Sequence, residues 1–216
     1  MKILWSLVLV MVLMSCQEEQ LTVVEDQEEA PLALDSQLVG LMRSVSSHDG
    51  SLDDVVDRSS CFSIVFPYVC SIEGVEYEVN SELDLQPFTE YDVLTPIFPI
   101  TIAYLDHSRE VIEDLETYQE RIAQCADGSL NNDAIVCVDF EYPVTLALYH
   151  SDIANFETIV LNHDLDTFSA LELFSDDTIA NIEYPILISF PNGGYIEINS
   201  NNELKLEIIR YLNSCN

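Results

Sequence analysis

From Phe62 onward, apolar and polar positions fall into four similar cycles. Each opens on a run of β-formers interrupted by an aromatic residue and a proline: Phe66-Pro67, Phe98-Pro99, Tyr142-Pro143 and Tyr184-Pro185. A turn follows, then a second strand-like run, then a segment with helical spacing. In the first cycle, Phe62 to Cys70 is apolar-rich and Glu73-Gly74 supplies the turn. Val75, Tyr77 and Val79 then alternate with Glu76 and Glu78, the pattern of a half-buried strand. Asn80-Ser81 offers a helix start with Asp84 three residues on, and Pro87 keeps that helix short. The second cycle runs Ile97 to Tyr104, turns at Asp106-His107-Ser108, returns through Val111-Ile112 and enters a helix over Asp114 to Gln124. The third runs Val138 to Leu148, turns from His150 to Asn155, returns along Phe156 to Leu161 and starts its helix near Asn162. The fourth, Ile182 to Asn199, has Asn192-Gly193-Gly194 as its hairpin turn, and Ser200 with Glu203 caps the last helix.

This pattern predicts an α+β fold of four β-hairpin-plus-helix (β-β-α) repeats. Such a unit is too small to fold alone, so the copies must share cores. Proline cannot donate to a ladder, so each first strand is expected to bulge or to lie at an edge there. The aromatic-proline bonds are expected to be trans, the commoner state even before proline, with cis the alternative that a preceding aromatic residue makes worth checking.

Cysteines group the cycles in pairs. Cys61 opens the first and Cys125 closes the second; Cys137 opens the third and Cys215 closes the fourth. The repeats therefore divide into two homologous halves, 61–126 and 137–216. Disulfides Cys61–Cys125 and Cys137–Cys215 are expected in an oxidising compartment, the alternative being that all thiols are free. Cys70 is left over as a buried thiol. Pairing it with Cys61 would need both ends of a nine-residue extended run, about 30 Å, to meet.

The N-terminus reads as an address. Met1-Lys2 is a minimal positive region, and Ile3 to Leu13 is apolar but too short to span a bilayer. Leu13-Met14-Ser15-Cys16 resembles a bacterial lipoprotein signal, with residues 1–15 removed and Cys16 lipidated; an ordinary secretory signal is the alternative. Residues 16–34 form an acidic, aperiodic tether. Its start, Gln17-Glu18-Glu19, resembles the export signal that sends lipoproteins of Bacteroidetes to the outer cell surface. Such a chain would be lipid-anchored at the outer membrane and would touch the membrane through its anchor only. Residues 35–60 read as a short helix and linker. Asp35 is the expected cap of a helix from Ser36 to Val45, with Leu38, Val39, Leu41 and Met42 on one side.

Asp49-Gly50-Ser51 through Asp57, then Ser60-Cys61-Phe62 and the aromatic-proline strands with their Asn-rich helix starts, resemble a family of uncharacterised flavobacterial secreted proteins and lipoproteins. The resemblance spans about residues 35 to 216. It implies architecture and origin, and it brings no catalytic or binding residues. Glu113 departs from its pattern, standing where the other cycles have Asn80, Asn162 and Asn199.

Charge narrows the partners. The chain carries 7 basic and 39 acidic residues, a net charge of −32, and loss of Lys2 with the signal makes the balance about −33. That field repels phosphates, which argues against nucleic acid and anionic lipid as ligands. A hydrophobic content of 48% argues against disorder in the C-terminal part. Trp5, the single tryptophan, lies in the signal, which disfavours sugar stacking while leaving a protein or glycan ligand open.

Catalytic signatures are missing: there is no HExxH, GxSxG, phosphate-cradling glycine loop or CxxC pair. His107-Ser108 and His150-Ser151 fall in predicted turns, where they are either polar turn residues or, if brought together, metal ligands or bases. Asp139 with Glu141, and Glu76 with Glu78, share strand faces. Asn162, Asp164 and Asp166 have the alternating oxygen spacing of a calcium loop, without its glycine, and the segment also reads as a helix start. Three functions remain: a non-catalytic binding or structural module of the cell envelope, an extracellular hydrolase with a carboxylate or His–Ser site between the halves, and an acidic calcium-binding surface protein.

Overall fold

The computed structural model describes residues 31–34, 36–89 and 91–212. Cys16, the expected lipidation site, the expected signal, most of the stretch read as a tether, and Cys215 lie outside the described residues. No helix among them is long and apolar enough to cross a membrane.

The fold is α+β, with repeated β-hairpin and helix units. Among the described residues, twelve strands form four three-stranded antiparallel sheets. In the first half, β1 (Phe62–Ile64) leads through Phe66-Pro67 into β2 (Tyr68–Ile72), which hairpins to β3 (Val75–Val79). A 3-10 turn, Glu82–Leu85, follows. Next, β4 (Leu94–Pro96) leads through Phe98-Pro99 into β5 (Ile100–Tyr104), which hairpins to β6 (Arg109–Ile112). The second half repeats the scheme. β7 (Asp139–Glu141) passes through Tyr142-Pro143 into β8 (Val144–His150) and β9 (Asn155–Leu161). β10 (Thr178–Ile182) passes through Tyr184-Pro185 into β11 (Ile186–Ser189) and β12 (Tyr195–Ile198).

The short strand before each proline does not join the hairpin that follows it. β1 pairs with β5, and β4 pairs with β2. Likewise β7 pairs with β11, and β10 pairs with β8. Each unit thus lends its first strand to the sheet of its neighbour. The register is the same at all four crossings. Val65 donates to the Thr101 carbonyl at 2.8 Å, Ile97 to Val69 at 2.8 Å and Glu183 to Thr145 at 2.9 Å, while Glu141 stands opposite Leu187. In every case the residue two before one proline meets the residue two after the other. Of the expected bulge or edge, the edge is found: β1, β4, β7 and β10 each lie at the edge of their sheet. The proline itself, unable to donate, sits where the chain leaves one ladder for the next. The expected trans bonds are corrected, for all four aromatic-proline bonds are cis.

Helices cover the sheets. α1 (Gln37–Val45) is capped by Ser36, whose side chain accepts the Val39 N–H; Asp35, the expected cap, lies outside the described residues. α2 (Asp54–Asp57) is a single turn ended by Arg58 in the left-handed region. α3 (Leu115–Ala126), α4 (Asp164–Glu172) and α5 (Asn201–Leu212) follow β6, β9 and β12.

Two apolar cores result. One holds Phe62, Ile64, Cys70, Val79, Ile102, Ile112 and Tyr118 of the first half. The other holds Leu146, Leu171, Ile188, Ile198, Leu204 and Ile208 of the second. The stretch read as a helix and linker is divided between them: Leu38, Val39, Met42 and Val45 of α1 pack into the second core, while Val55 and Val56 of α2 pack against the first. Leu32, at the end of the stretch read as a tether, is buried in the second core and bridges to Ala180.

The predicted bond Cys61–Cys125 is present, with Cα atoms 5.8 Å apart, and Cys70 is a buried free thiol. Cys137 is also disulfide-bonded, and its sulfur lies 3.7 Å from the Tyr211 carbonyl oxygen at the end of α5. Replacing Cys61 and Cys125 together by serine is expected to reduce stability by up to about 4 kcal/mol, the chain-entropy figure for so long a loop. Urea unfolding of the double variant checks this, and unreduced peptide mapping checks the pairing.

Candidate functional site

Where the halves meet, a cleft of about 640 Å³ opens, with Arg43, Asp106, Ser108, Asn131, Asp133 and Glu172 on its walls. The chain leaving α1 builds the junction. Its His48 N–H donates to the Leu105 carbonyl at 2.9 Å, and Ile135 N–H donates to the Ser44 carbonyl at 2.9 Å. Arg43 reaches Glu172 of α4 at 3.0 Å. His107, at positive φ in the β5–β6 turn, places Nε2 2.8 Å from the Ser46 carbonyl oxygen and so donates to it. Its ring meets His48 edge-on at 5.8 Å and Phe168 at 5.4 Å. His48 Nε2 in turn lies 2.7 Å from Ser63 Oγ. Burial first, and the nearby His107 second, push the His48 imidazole below its ordinary value.

Beside the cleft, a second network fastens α3 to the β5–β6 hairpin. Arg121 grips Glu110 through two nitrogens, at 2.9 and 3.0 Å, and the Tyr104 hydroxyl donates to the same carboxylate. The Arg121 hydrogen bonds hold Glu110 below the usual carboxylate range, while burial, followed by the Glu110 contact, pushes the Tyr104 phenol up to about 12. These groups satisfy one another.

The two predicted His–Ser turns are not brought together. His107 is tied to α1, and Ser108 Oγ donates to Asp106 at 2.5 Å. His150 lies 3.8 Å from Glu157, and Ser151 Oγ donates to the Asp177 carbonyl at 3.1 Å. The calcium-spaced residues form the start of α4. Asn162 N–H donates to Asp166 Oδ2 at 3.0 Å, and Asp164 Oδ1 accepts the Tyr142 hydroxyl at 2.7 Å. Among the described residues, no group of three or more His, Cys, Asp or Glu side chains is arranged to hold a metal ion.

Those contacts give the aromatic-proline tyrosines a local task. Tyr142 also meets the buried Thr167 hydroxyl at 2.9 Å, and the Tyr184 hydroxyl donates to Asn201 Oδ1 of α5 at 2.8 Å. Each thus locks a helix start onto the sheet crossing. The first half has Phe in both places and uses ring contacts instead: Phe98 against Tyr118 at 5.7 Å and Phe66 against Tyr68 at 5.6 Å.

No protein-family model, curated protein or solved structure matches the chain. Sequence reasoning missed His48 and Arg43 as junction residues. The signal for both was weak, since His48-Asp49-Gly50 reads as an ordinary helix stop and Arg43 as a solvated helix charge.

Tyr142→Phe removes one hydroxyl and leaves the ring. It is expected to cost about 1–2 kcal/mol in urea unfolding. For His48, the unfolded chain takes up the proton before the folded one does. Its contribution is complete above the ordinary histidine value and is lost as pH falls from there through the lower folded value. His48→Gln is expected to flatten the fall in stability between roughly pH 7.5 and pH 5, followed by unfolding at stepped pH.

Proposed function

We propose that the chain is a non-catalytic binding module, lipid-anchored through Cys16 at the outer surface of a bacterial cell. Its four β-β-α repeats form two homologous halves on an acidic tether. The signal-like N-terminus, the disulfide pairing and the flavobacterial resemblance support the location and the architecture. One structural observation supports the binding role. In each sheet the outermost hairpin strand turns large apolar side chains to solvent: Val75 on β3, Val111 on β6, Phe156 and Val160 on β9, and Tyr195 on β12. Phe156 is 80% exposed, and its ring lies against Tyr149 of β8 at 4.5 Å. An exposed phenylalanine ring backed by a half-buried tyrosine, on so acidic a chain, suits a ligand with apolar faces and neutral or basic groups, a protein segment or a neutral glycan.

The cleft between the halves does not displace this reading. The His107 Nε2–H is committed to the Ser46 carbonyl and the Ser108 hydroxyl to Asp106, so neither stands ready for hydrolysis.

Two measurements test the proposal. Palmitate labelling in a Bacteroidetes host is expected to mark the wild type and not Cys16→Ser; an unlabelled wild type overturns the anchor. Neutral polysaccharides and basic peptides are then titrated calorimetrically into the purified protein. Phe156→Asp is expected to weaken binding at least about tenfold while leaving the thermal midpoint within about 1 °C. Absence of binding by every ligand, or equal binding by the variant, overturns the module.

A further inference from the structure

The loop before Cys61 carries two aspartates into the first core. Asp53 is fully buried and Asp57 is 3% exposed. Each has one oxygen accounted for: Asp53 Oδ2 accepts the Ile64 N–H at 2.9 Å, and Asp57 Oδ1 accepts the Ser59 N–H at 3.0 Å. The other oxygens, Asp53 Oδ1 and Asp57 Oδ2, hydrogen-bond no protein atom. The same is true of Ser59 Oγ and of the Tyr68 and Tyr118 hydroxyls. All five residues are more than nine-tenths buried. They come from three elements of the first half: the α2 loop, β2 and α3. Tyr68 and Tyr118 lie close enough to both aspartates for the carboxylate charges to act on their phenols, and Tyr68 acts on Tyr118. A phenol in hydrogen-bond reach of a buried carboxylate would donate to it. Both hydroxyls instead stand outside that reach.

Charge makes the arrangement more demanding. After burial itself, the charges that raise Asp53 are Asp54 and Asp49, and those that raise Asp57 are Asp53 and Asp54. Buried carboxylates are kept only when paired, protonated or bound to a metal. We propose that Asp53, Asp57, Ser59, Tyr68 and Tyr118 form a binding site for one hard divalent cation of the calcium or magnesium class. Two carboxylates match its charge. Five oxygens from the α2 loop, a strand and a helix match its preference for hard donors and high coordination. The hydroxyls stand in as neutral donors where a third acidic ligand would be usual. The bound ion fastens the α2 loop to β2 and α3 next to the Cys61–Cys125 bond. The site is separate from the calcium-spaced Asn162, Asp164 and Asp166.

The test uses the purified protein after chelation and desalting, titrated with CaCl₂ or MgCl₂ at constant ionic strength. Constant ionic strength holds general screening of so acidic a surface fixed. Calorimetry is expected to show one equivalent bound, and the thermal midpoint to rise by about 5 °C or more at saturation. Asp57→Asn and Tyr118→Phe are each expected to lose at least about tenfold in affinity, and Glu78→Gln, on the exposed β3, none. A wild type with neither heat nor thermal shift overturns the site. So does an equal response from the site variants, which would mark counter-ion binding over the whole surface. If Asp57→Asn does not fold, Tyr118→Phe decides, because it keeps the ring and removes only the hydroxyl.

Discussion

Proline has no N–H to give, and the architecture turns on where that missing donor is placed. A continuous apolar run through Phe66-Pro67 or Tyr142-Pro143 would leave a break inside a ladder. Here the break falls between ladders. The segment before the proline completes one sheet and the segment after it becomes the centre of the next. Two such units, each lending a strand to the other, close into a pair with no free first strand. The pairing also explains why the units come in twos. A single unit would lack both the strand it borrows and the sheet to which it lends.

Helix starts carry much of the remaining local order, and here the acidic composition is put to use. Asp84, Asp166 and Glu203 each turn back to accept a main-chain N–H of the residue leaving the strand, Asn80, Asn162 and Asn199 respectively. Negative charge is also favourable at a helix N-terminus. At α3 the place of the returning acid is taken by Thr117, whose N–H goes to the cap Asp114. That is the cycle in which Glu113 replaces the asparagine. At α4 the returning acid is Asp166, the last of the calcium-spaced residues.

Much of the fold was legible in the sequence because its signals are local. Alternation along Val75 to Val79, the Asn192-Gly193-Gly194 turn and the Ser200–Glu203 cap each depend on neighbours a few residues apart. The Cys61–Cys125 bond was readable from its position at the ends of a pair of cycles. Strand lending was not readable, since a proline in a β-run is equally compatible with an edge, a bulge or a crossing. The placement of α1 was hidden for another reason: an apolar stripe states that a face is buried, without stating against which core. Asp53 and Asp57 were the least visible of all. In a chain with 39 acidic residues, two aspartates taken inside look like the many left outside.

The docking of α1 reverses the order in which the halves meet a load. Chain order alone would have a pull on the N-terminal segment reach the first half first. The described path instead runs through the Leu32–Ala180 bridge and the α1 face that carries Met42 and Val45, both seated in the second half. Tension applied from the N-terminal side is taken up by the half farther along the chain, and the nearer half hangs from it through the His48 junction. A fragment begun at Cys61 would leave the second core without its α1 lid, although the cut falls more than seventy residues before that half begins.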